Sequence, residues 1–274
     1  MKKTELLLSY AEWFLKAKTL HGLHSSFIYS MARDCFYRND DLSRFAWIEK
    51  ERKKLLAENT VISYADMGAG VRKFSSLNRA NKKSATIADI AKRSLQKPFY
   101  CRILHRMIQH FDYREILEMG TSLGITTTYL ASASSNANVY SIEGDDTISS
   151  IAQKNFNRMN IKNIQLITGV FDHVLPSLLP ANRKKWDMVY IDGNHNGEAL
   201  LNYFHQTIKH LTPNGVIILD DIRWSDSMYN AWKLIQETDL VTLTIDLLKL
   251  GIVFINPDLS KENIKIKINI YRIL

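Results

Sequence analysis

Four short apolar runs in the second half of this chain each end in an acid. They are Ile116–Met119 with Glu118, Val139–Ile142 before Glu143, Met188–Ile191 before Asp192, and Val216–Leu219 before Asp220 and Asp221. A fifth run, Ile164–Thr168, leads into Gly169-Val170-Phe171-Asp172. Segments of helical texture separate or follow them, at 124–133, 145–158, 172–179, 197–211 and 225–236. Strand and helix in repeated alternation predict a parallel sheet covered on both faces. Ligands of open α/β sheets bind at the carboxyl ends of the strands, where these acids fall. One acid after one strand reads as a helix cap. Caps alone explain four successive cases poorly. After Asp221 the alternation stops. Val241–Leu248 and Gly251–Ile255 lie too close together for a crossover helix, so they are expected to pair antiparallel. The tail Ile264–Ile270 alternates Ile with Lys or Asn, the pattern of a half-buried strand whose lysines blunt a sheet edge.

The first half has another texture, and charge divides the chain in the same place. Residues 1–112 hold 21 Lys and Arg against 11 Asp and Glu, whereas residues 113–274 hold 15 against 17. The net +8 therefore belongs to the N-terminal region. That region is read as a helical cap over 1–112, with residues 113–274 as the catalytic domain. Residues 4–20 put Leu7, Leu8, Ala11, Phe14 and Leu15 on one helical face. Residues 41–57 and 85–111 also read as helix, with Pro98 as a break. Between them, Tyr64–Asn81 reads as a loop. Its Asp66-Met67-Gly68-Ala69-Gly70 imitates a nucleotide-binding turn, but no alternating strand series follows it. Ser25 or Ser26 is expected to cap a helix beginning near Phe27. The run Lys50, Arg52, Lys53, Lys54 reads as a solvated helix face, and Arg183-Lys184-Lys185 as an exposed loop. Trp232 and Trp224 default to core packing, with Trp224 beside Asp221 as a candidate pocket wall. With 46% hydrophobic and 23% charged residues, the composition is that of a globular protein. No run approaches the roughly 20 apolar residues of a membrane span, and no secretory signal is read at Met1-Lys2-Lys3. The two cysteines, Cys35 and Cys101, have no metal-like spacing and are expected as reduced thiols in a cytoplasmic protein.

The first strand continues into Glu118-Met119-Gly120-Thr121-Ser122-Leu123-Gly124. Such a turn lets a nucleotide-like ligand approach the backbone. The dinucleotide fingerprint wants glycine at three positions that are here Gly120, Ser122 and Ile125, so a pyrophosphate site is disfavoured. Glu143 ends the next strand after Glu118, where an acid can accept both hydrogen bonds of a ribose diol.

Together, "ILEMGTSLGITTTYLA", "VYSIEG", "YIDGNH" and "LDDIRW" resemble the class I S-adenosylmethionine (SAM) methyltransferases, in particular the metal-assisted O-methyltransferases of the catechol, caffeoyl-CoA and macrocin type. The resemblance implies a Rossmann-like sheet of seven strands with the last one antiparallel. It implies that Glu118, Gly120 and Thr121 line the methionine part of SAM within the turn that includes Ser122 and Gly124. Thr126 would meet the SAM carboxylate, Glu143 with Gly144 the ribose, and Phe171 and Asp172 the adenine. Asp192, Asp220 and Asp221 would hold Mg²⁺, with Asp192 also at the cofactor. The family lysine three places after the first metal acid is His195 here, which makes His195 the candidate general base beside Asp192. The implied reaction is methyl transfer to a hydroxyl of a small-molecule or conjugated acceptor, with the basic cap suiting an anionic one. Two alternatives differ in class. A nucleic-acid methyltransferase would use the basic region on phosphates, but the Asn/Asp-Pro-Pro-aromatic motif of amino-methylating enzymes is absent. A non-catalytic SAM-binding protein would show a degraded turn or lack the ribose acid, and neither is seen. The Ile-rich tail leaves open whether the chain is a homo-oligomer.

Overall fold

The structure is a computed structural model that describes residues 4–65, 82–181 and 185–268. The Asp66–Gly70 turn, most of the Tyr64–Asn81 loop, Arg183, Lys184 and the tail beyond Ile268 lie outside the described residues.

The strands are β1 (Val61–Ala65), β2 (Lys82–Thr86), β3 (Glu115–Met119), β4 (Asn138–Glu143), β5 (Ile164–Thr168), β6 (Trp186–Ile191), β7 (Leu211–Leu219), β8 (Leu243–Asp246), β9 (Gly251–Phe254) and β10 (Glu262–Lys265). The helices are α1 (Thr4–Lys16), α2 (Ser26–Met31), α3 (Ala46–Ala57), α4 (Ile87–Ser94), α5 (Pro98–Phe111), α6 (Ile125–Ala131), α7 (Asp146–Arg158), α8 (Phe171–Ala181), α9 (Gly197–Thr207) and α10 (Asp226–Glu237). Eight strands form one sheet in the order β10-β8-β9-β7-β6-β3-β4-β5. β4 with β5 and β6 with β7 are parallel, and β9 runs antiparallel to both β7 and β8. This is the Rossmann-like α/β sheet expected from the alternation, including its antiparallel hairpin. β10 adds an eighth strand, parallel to β8 at the edge.

The N-terminal region, 1–112, is not wholly helical. β1 and β2 pair antiparallel as a separate two-stranded sheet, Val61 opposite Thr86 and Ala65 opposite Lys82. The helix read from residue 85 starts instead at Ile87, where the Thr86 side chain caps it by accepting from the Asp89 N–H. Pro98 opens α5, where its missing N–H costs no helical hydrogen bond. Ser25 caps α2 as expected.

Contacts divide the chain into two compact units. One comprises Met1–Arg38, Glu115–Leu117 and Leu179–Leu274; the other comprises Asn39–Arg114 and Glu118–Leu178. This division does not coincide with the boundary at 112. In the first unit, Trp13 of α1 is fully buried and its indole N–H donates to the Asp246 carbonyl at 3.0 Å. Lys18 bridges to the tail strand, its N–H donating to Lys265 and its carbonyl accepting from Lys267, each at 2.8 Å. That strand-like contact ends α1 at Lys16, short of residue 20. The face of Leu7, Leu8, Phe14 and Leu15 is exposed, with Leu15 at 86%.

In the second unit a core of Phe45, Ile48, Leu55, Ile90, Leu123, Ile125 and Tyr129 joins α3, α4 and α6. The basic run on α3 is only partly a solvated face. Lys53 and Lys54 are exposed, while Arg52 is buried. Its guanidinium donates to Glu49 and to the Gln96 carbonyl at 2.8 Å. Among the described residues no helix is long and apolar enough to cross a membrane.

Candidate active site

The glycine turn and Glu143 lie in the second unit. β3 ends in a backbone that must turn sharply, and the residues that allow it are in place. Gly120 has φ +112 and Gly124 φ +82, both in the left-handed region that favours glycine. Ser122 also has positive φ, +50, which a residue with a Cβ adopts at a cost. Its N–H donates to Glu143 at 2.8 Å, and the Asp145 N–H donates to the other carboxylate oxygen at 3.1 Å. Backbone donors therefore fix the orientation of the Glu143 carboxylate. Burial pushes the Glu143 carboxyl above its ordinary range, and these backbone hydrogen bonds oppose the shift.

Glu118 is fully buried and accepts from the Ser141 hydroxyl at 2.5 Å, and Ser141 in turn meets the Thr121 hydroxyl at 2.5 Å. Thr126 is buried in the first turn of α6, with the Cys101 thiol 3.9 Å from its hydroxyl. Phe171 and Asp172 open α8, just after Gly169. Residues of the N-terminal region touch this loop system. Ser94 shares a 2.7 Å hydrogen bond with Ser122, and the Ala65 N–H donates to Asp145 at 2.7 Å. In the sequence, Asp145 and Ser94 carry no signal beyond membership of helical segments. The glycine turn, the fixed Glu143 carboxylate and the buried Thr126 fit an adenosyl cofactor.

The acids after β6 and β7 lie in the first unit. Asp192, His195 and Asp221 each offer an atom within 4.8 Å of the others. Tyr190 donates its hydroxyl to Asp192 at 3.1 Å. Asp220 is buried and holds a different partner, the Lys249 ammonium, which lies 2.7 and 2.6 Å from its two oxygens and 3.0 Å from Asp221. Burial pushes the carboxyls of Asp192, Asp220 and Asp221 upward, Asp220 to about 6, where the charge of Asp192 adds to the effect. Burial would lower Lys249, but the charges of Asp220, Asp221 and Asp192 outweigh it and hold the ammonium above its ordinary value. Trp224 is 62% exposed, and its ring centroid is 5.4 Å from that of His195, whereas Trp232 is core.

The residues present do not fit the Mg²⁺ set that the resemblance implies. Both oxygens of Asp220 are engaged by an ammonium, and the third converging donor is an imidazole. Mg²⁺ takes oxygen ligands in near-octahedral geometry, while imidazole suits transition ions. Lys249 was missed from sequence. Its signal is a lone cation inside Leu247-Leu248-Lys249-Leu250-Gly251-Ile252, since a charge in a buried run calls for a partner.

Comparison with known proteins agrees with this architecture. Residues 117–222 match the family described as a methyltransferase domain. The chain is 28% identical to a catechol O-methyltransferase of Niastella koreensis over 44% of its length and 55% of the relative's. It is 26% identical to the O-methyltransferase imqG of Aspergillus flavus over 56% of its length and 62% of the relative's. The chain thus spans little more than half the length of these curated relatives. Among solved structures, an O-methyltransferase from Bacillus cereus in complex with SAH aligns with TM-score 0.55 at 18% identity, covering 82% of this chain and 96% of that one. The O-methyltransferase TomG of Streptomyces achromogenes, in complex with SAM, aligns with TM-score 0.54 at 18% identity over 59% and 82%. Residues 117–222 thus match a methyltransferase domain, on a fold shared with these O-methyltransferase structures.

Proposed function

We propose that this protein transfers the methyl group of SAM to a hydroxyl oxygen of a small-molecule or conjugated acceptor. The observation that carries the reading is Glu143, an acid at the end of β4 whose carboxylate is fixed by the Ser122 and Asp145 N–H groups beside a glycine turn. That acid would take the ribose diol, Gly120 and Thr121 the methionine part, Thr126 the carboxylate, and Phe171 and Asp172 the adenine. Contacts of Ala65 and Ser94 with the cofactor loops support a cap role for part of the N-terminal region.

SAM supplies a methyl already activated on a sulfonium, so the protein's contribution is placement and proton removal. Holding nucleophile and methyl in line is worth roughly 7–11 kcal/mol of barrier. His195 is the group assigned to the acceptor's proton, because a ring nitrogen can accept one and this ring neighbours Asp192 and Asp221. Bound SAM would supply the methyl group to the acceptor oxygen, and His195 would take the proton that the hydroxyl gives up. Trp224, exposed beside His195, offers a flat apolar face to the acceptor.

Calorimetry of SAM binding tests the reading. The wild type should bind, and Glu143→Ala should bind about 10–100-fold more weakly, the worth of one or two hydrogen bonds to a charged group. A wild type that binds no SAM overturns the cofactor assignment. An alanine variant that binds as tightly overturns the ribose role of Glu143.

A further inference from the structure

The acid cluster of the first unit carries its own cation. Asp220 is buried, Asp192 and Asp221 are half-buried beside it, and the Lys249 ammonium stands against two of these three carboxyls. An ammonium has three N–H donors. In Lys249 two face the oxygens of Asp220, at 2.7 and 2.6 Å, and the nitrogen stands 3.0 Å from Asp221.

The turn that presents Lys249 is built. It joins β8 to β9, and the preceding Leu248 has φ +74, a left-handed conformation that a leucine adopts only at a cost. Several bonds hold it there. The Leu248 N–H donates to Asp246 at 2.9 Å, and the Leu247 N–H donates to the Leu250 carbonyl at 2.9 Å. Arg223 forms a buried two-pronged pair with Asp246, at 2.8 and 2.6 Å, and also donates to the Leu248 carbonyl at 2.9 Å. The Ile222 N–H donates to the Lys249 carbonyl at 3.1 Å. Asp220, Asp221, Ile222 and Arg223 are consecutive. The segment that supplies two of the acids therefore also anchors the turn that supplies the lysine. Such over-determination of a strained residue points to a placed group.

We propose that Lys249 is the resident cation of this cluster, a positioning residue that holds Asp220 and Asp221 in the place a divalent ion would otherwise occupy. The inference goes beyond the methyl-transfer reading and does not depend on the acceptor or on SAM. A divalent ion entering the wild-type site would have to displace the ammonium from Asp220 or settle for Asp192, His195 and Asp221 beside a fixed positive charge.

The test is calorimetric titration of the full-length protein, without SAM, with MnCl₂ and with MgCl₂. Wild type should show no saturable binding tighter than about 1 mM, the weak end of protein sites for such ions. Lys249→Met, which keeps the length and removes the charge, should gain a one-to-one site at least about tenfold tighter, and the metal should raise its Tm. Lys249→Gln, which still offers Asp220 a hydrogen bond, covers the event that the methionine variant does not fold, with the same expectation. Lys249→Arg keeps the charge and should bind metal no better than wild type. A tight site in the wild type, or neutral variants that bind metal no better than wild type, overturns the proposal. Neither result bears on whether SAM binds, so failure here is distinct from failure of the methyl-transfer reading.

Discussion

Gly124 has little freedom to change. Its φ of +82 excludes most side chains on backbone grounds, and a Cβ there would lie 2.5 Å from one ring carbon of Phe156 and 2.7 Å from another. Phe156 is itself core, at 1% exposure, so it cannot swing aside. Gly124→Ala should cost about 2–5 kcal/mol, the sum of a left-handed backbone penalty and an overpacked core. Urea denaturation checks this, and a loss below roughly 0.5 kcal/mol, that of an ordinary surface change, would mean the turn relaxes. Residues of this kind were legible in the sequence because their requirement is local: a turn that needs positive φ leaves glycines at fixed spacing, and an acid at a strand end sits beside the apolar run that marks the strand. Lys249 was not legible, because α10 and β8 separate it along the chain from its partners Asp220 and Asp221, and only the sheet order brings them together. Asp145 was hidden for a similar reason. It caps α7 through one oxygen, accepting from Ile148, while the other accepts from Ala65, far upstream in the chain.

Among the elements, buried strands were read most accurately. Every residue of β9 is buried and none is polar, so it leaves a continuous apolar imprint. The β1–β2 pair left none. β1 is half exposed and β2 reads Lys-Lys-Ser-Ala-Thr, a sequence without strand propensity that is held by its partner. The contacts that tie α3 to α5 and α6 were equally silent. Arg52 on α3 lies 3.7 Å from the Cys101 sulfur on α5, and the Tyr129 hydroxyl on α6 donates to Glu49 at 2.8 Å. Burial pushes the Cys101 thiol up to about 11, against the pull of Arg52, and burial with the charge of Glu49 raises Tyr129 as well. The sign follows from proton counting. Above the ordinary thiol pKa the unfolded chain has released protons that the folded state still holds, so stability falls as pH rises. The contribution is whole below about pH 8.5 and is lost as pH climbs through the folded value. From about pH 8 to about pH 10.5, Cys101 alone should account for about 2 kcal/mol of lost stability. Urea curves of wild type and Cys101→Ala at both pH values measure it. If the two proteins lose stability equally, the thiol is not the titrating group. The same burial should keep Cys35 and Cys101 unreactive toward iodoacetamide until the protein unfolds.

At the scale of the whole molecule, the positive charge of the N-terminal region is partly spent inside the protein. Arg102 and Arg106 share Asp40, and Arg52 pairs with Glu49. Cations committed in this way are poor candidates for phosphate contacts, which weakens the nucleic-acid alternative and makes the charge in part a matter of folding. The segment Met1–Arg38 has a related role that composition did not reveal, because its partners lie at the other end of the sequence. It groups with Leu179–Leu274. Trp13 is buried there, Phe27 packs edge-to-face on Phe254 at 5.5 Å, and Lys18 and the Tyr37 hydroxyl bond to the backbone at the end of β10 and just beyond it. Ile264, Ile266 and Ile268 are buried in this arrangement. Trp13→Ala should therefore destabilise by about 3–5 kcal/mol, the cost of emptying a large core site. Removal of Met1–Arg38 should do more. It would strip hydrogen-bond partners from an edge strand and uncover apolar side chains, the combination that favours edge-to-edge association. The shortened chain should elute as aggregate in size-exclusion chromatography, while Trp13→Ala elutes with the wild type at low temperature. A shortened chain that stays dispersed with an unchanged urea midpoint would show the N-terminal segment to be an appendage, with the C-terminal strands stable without it.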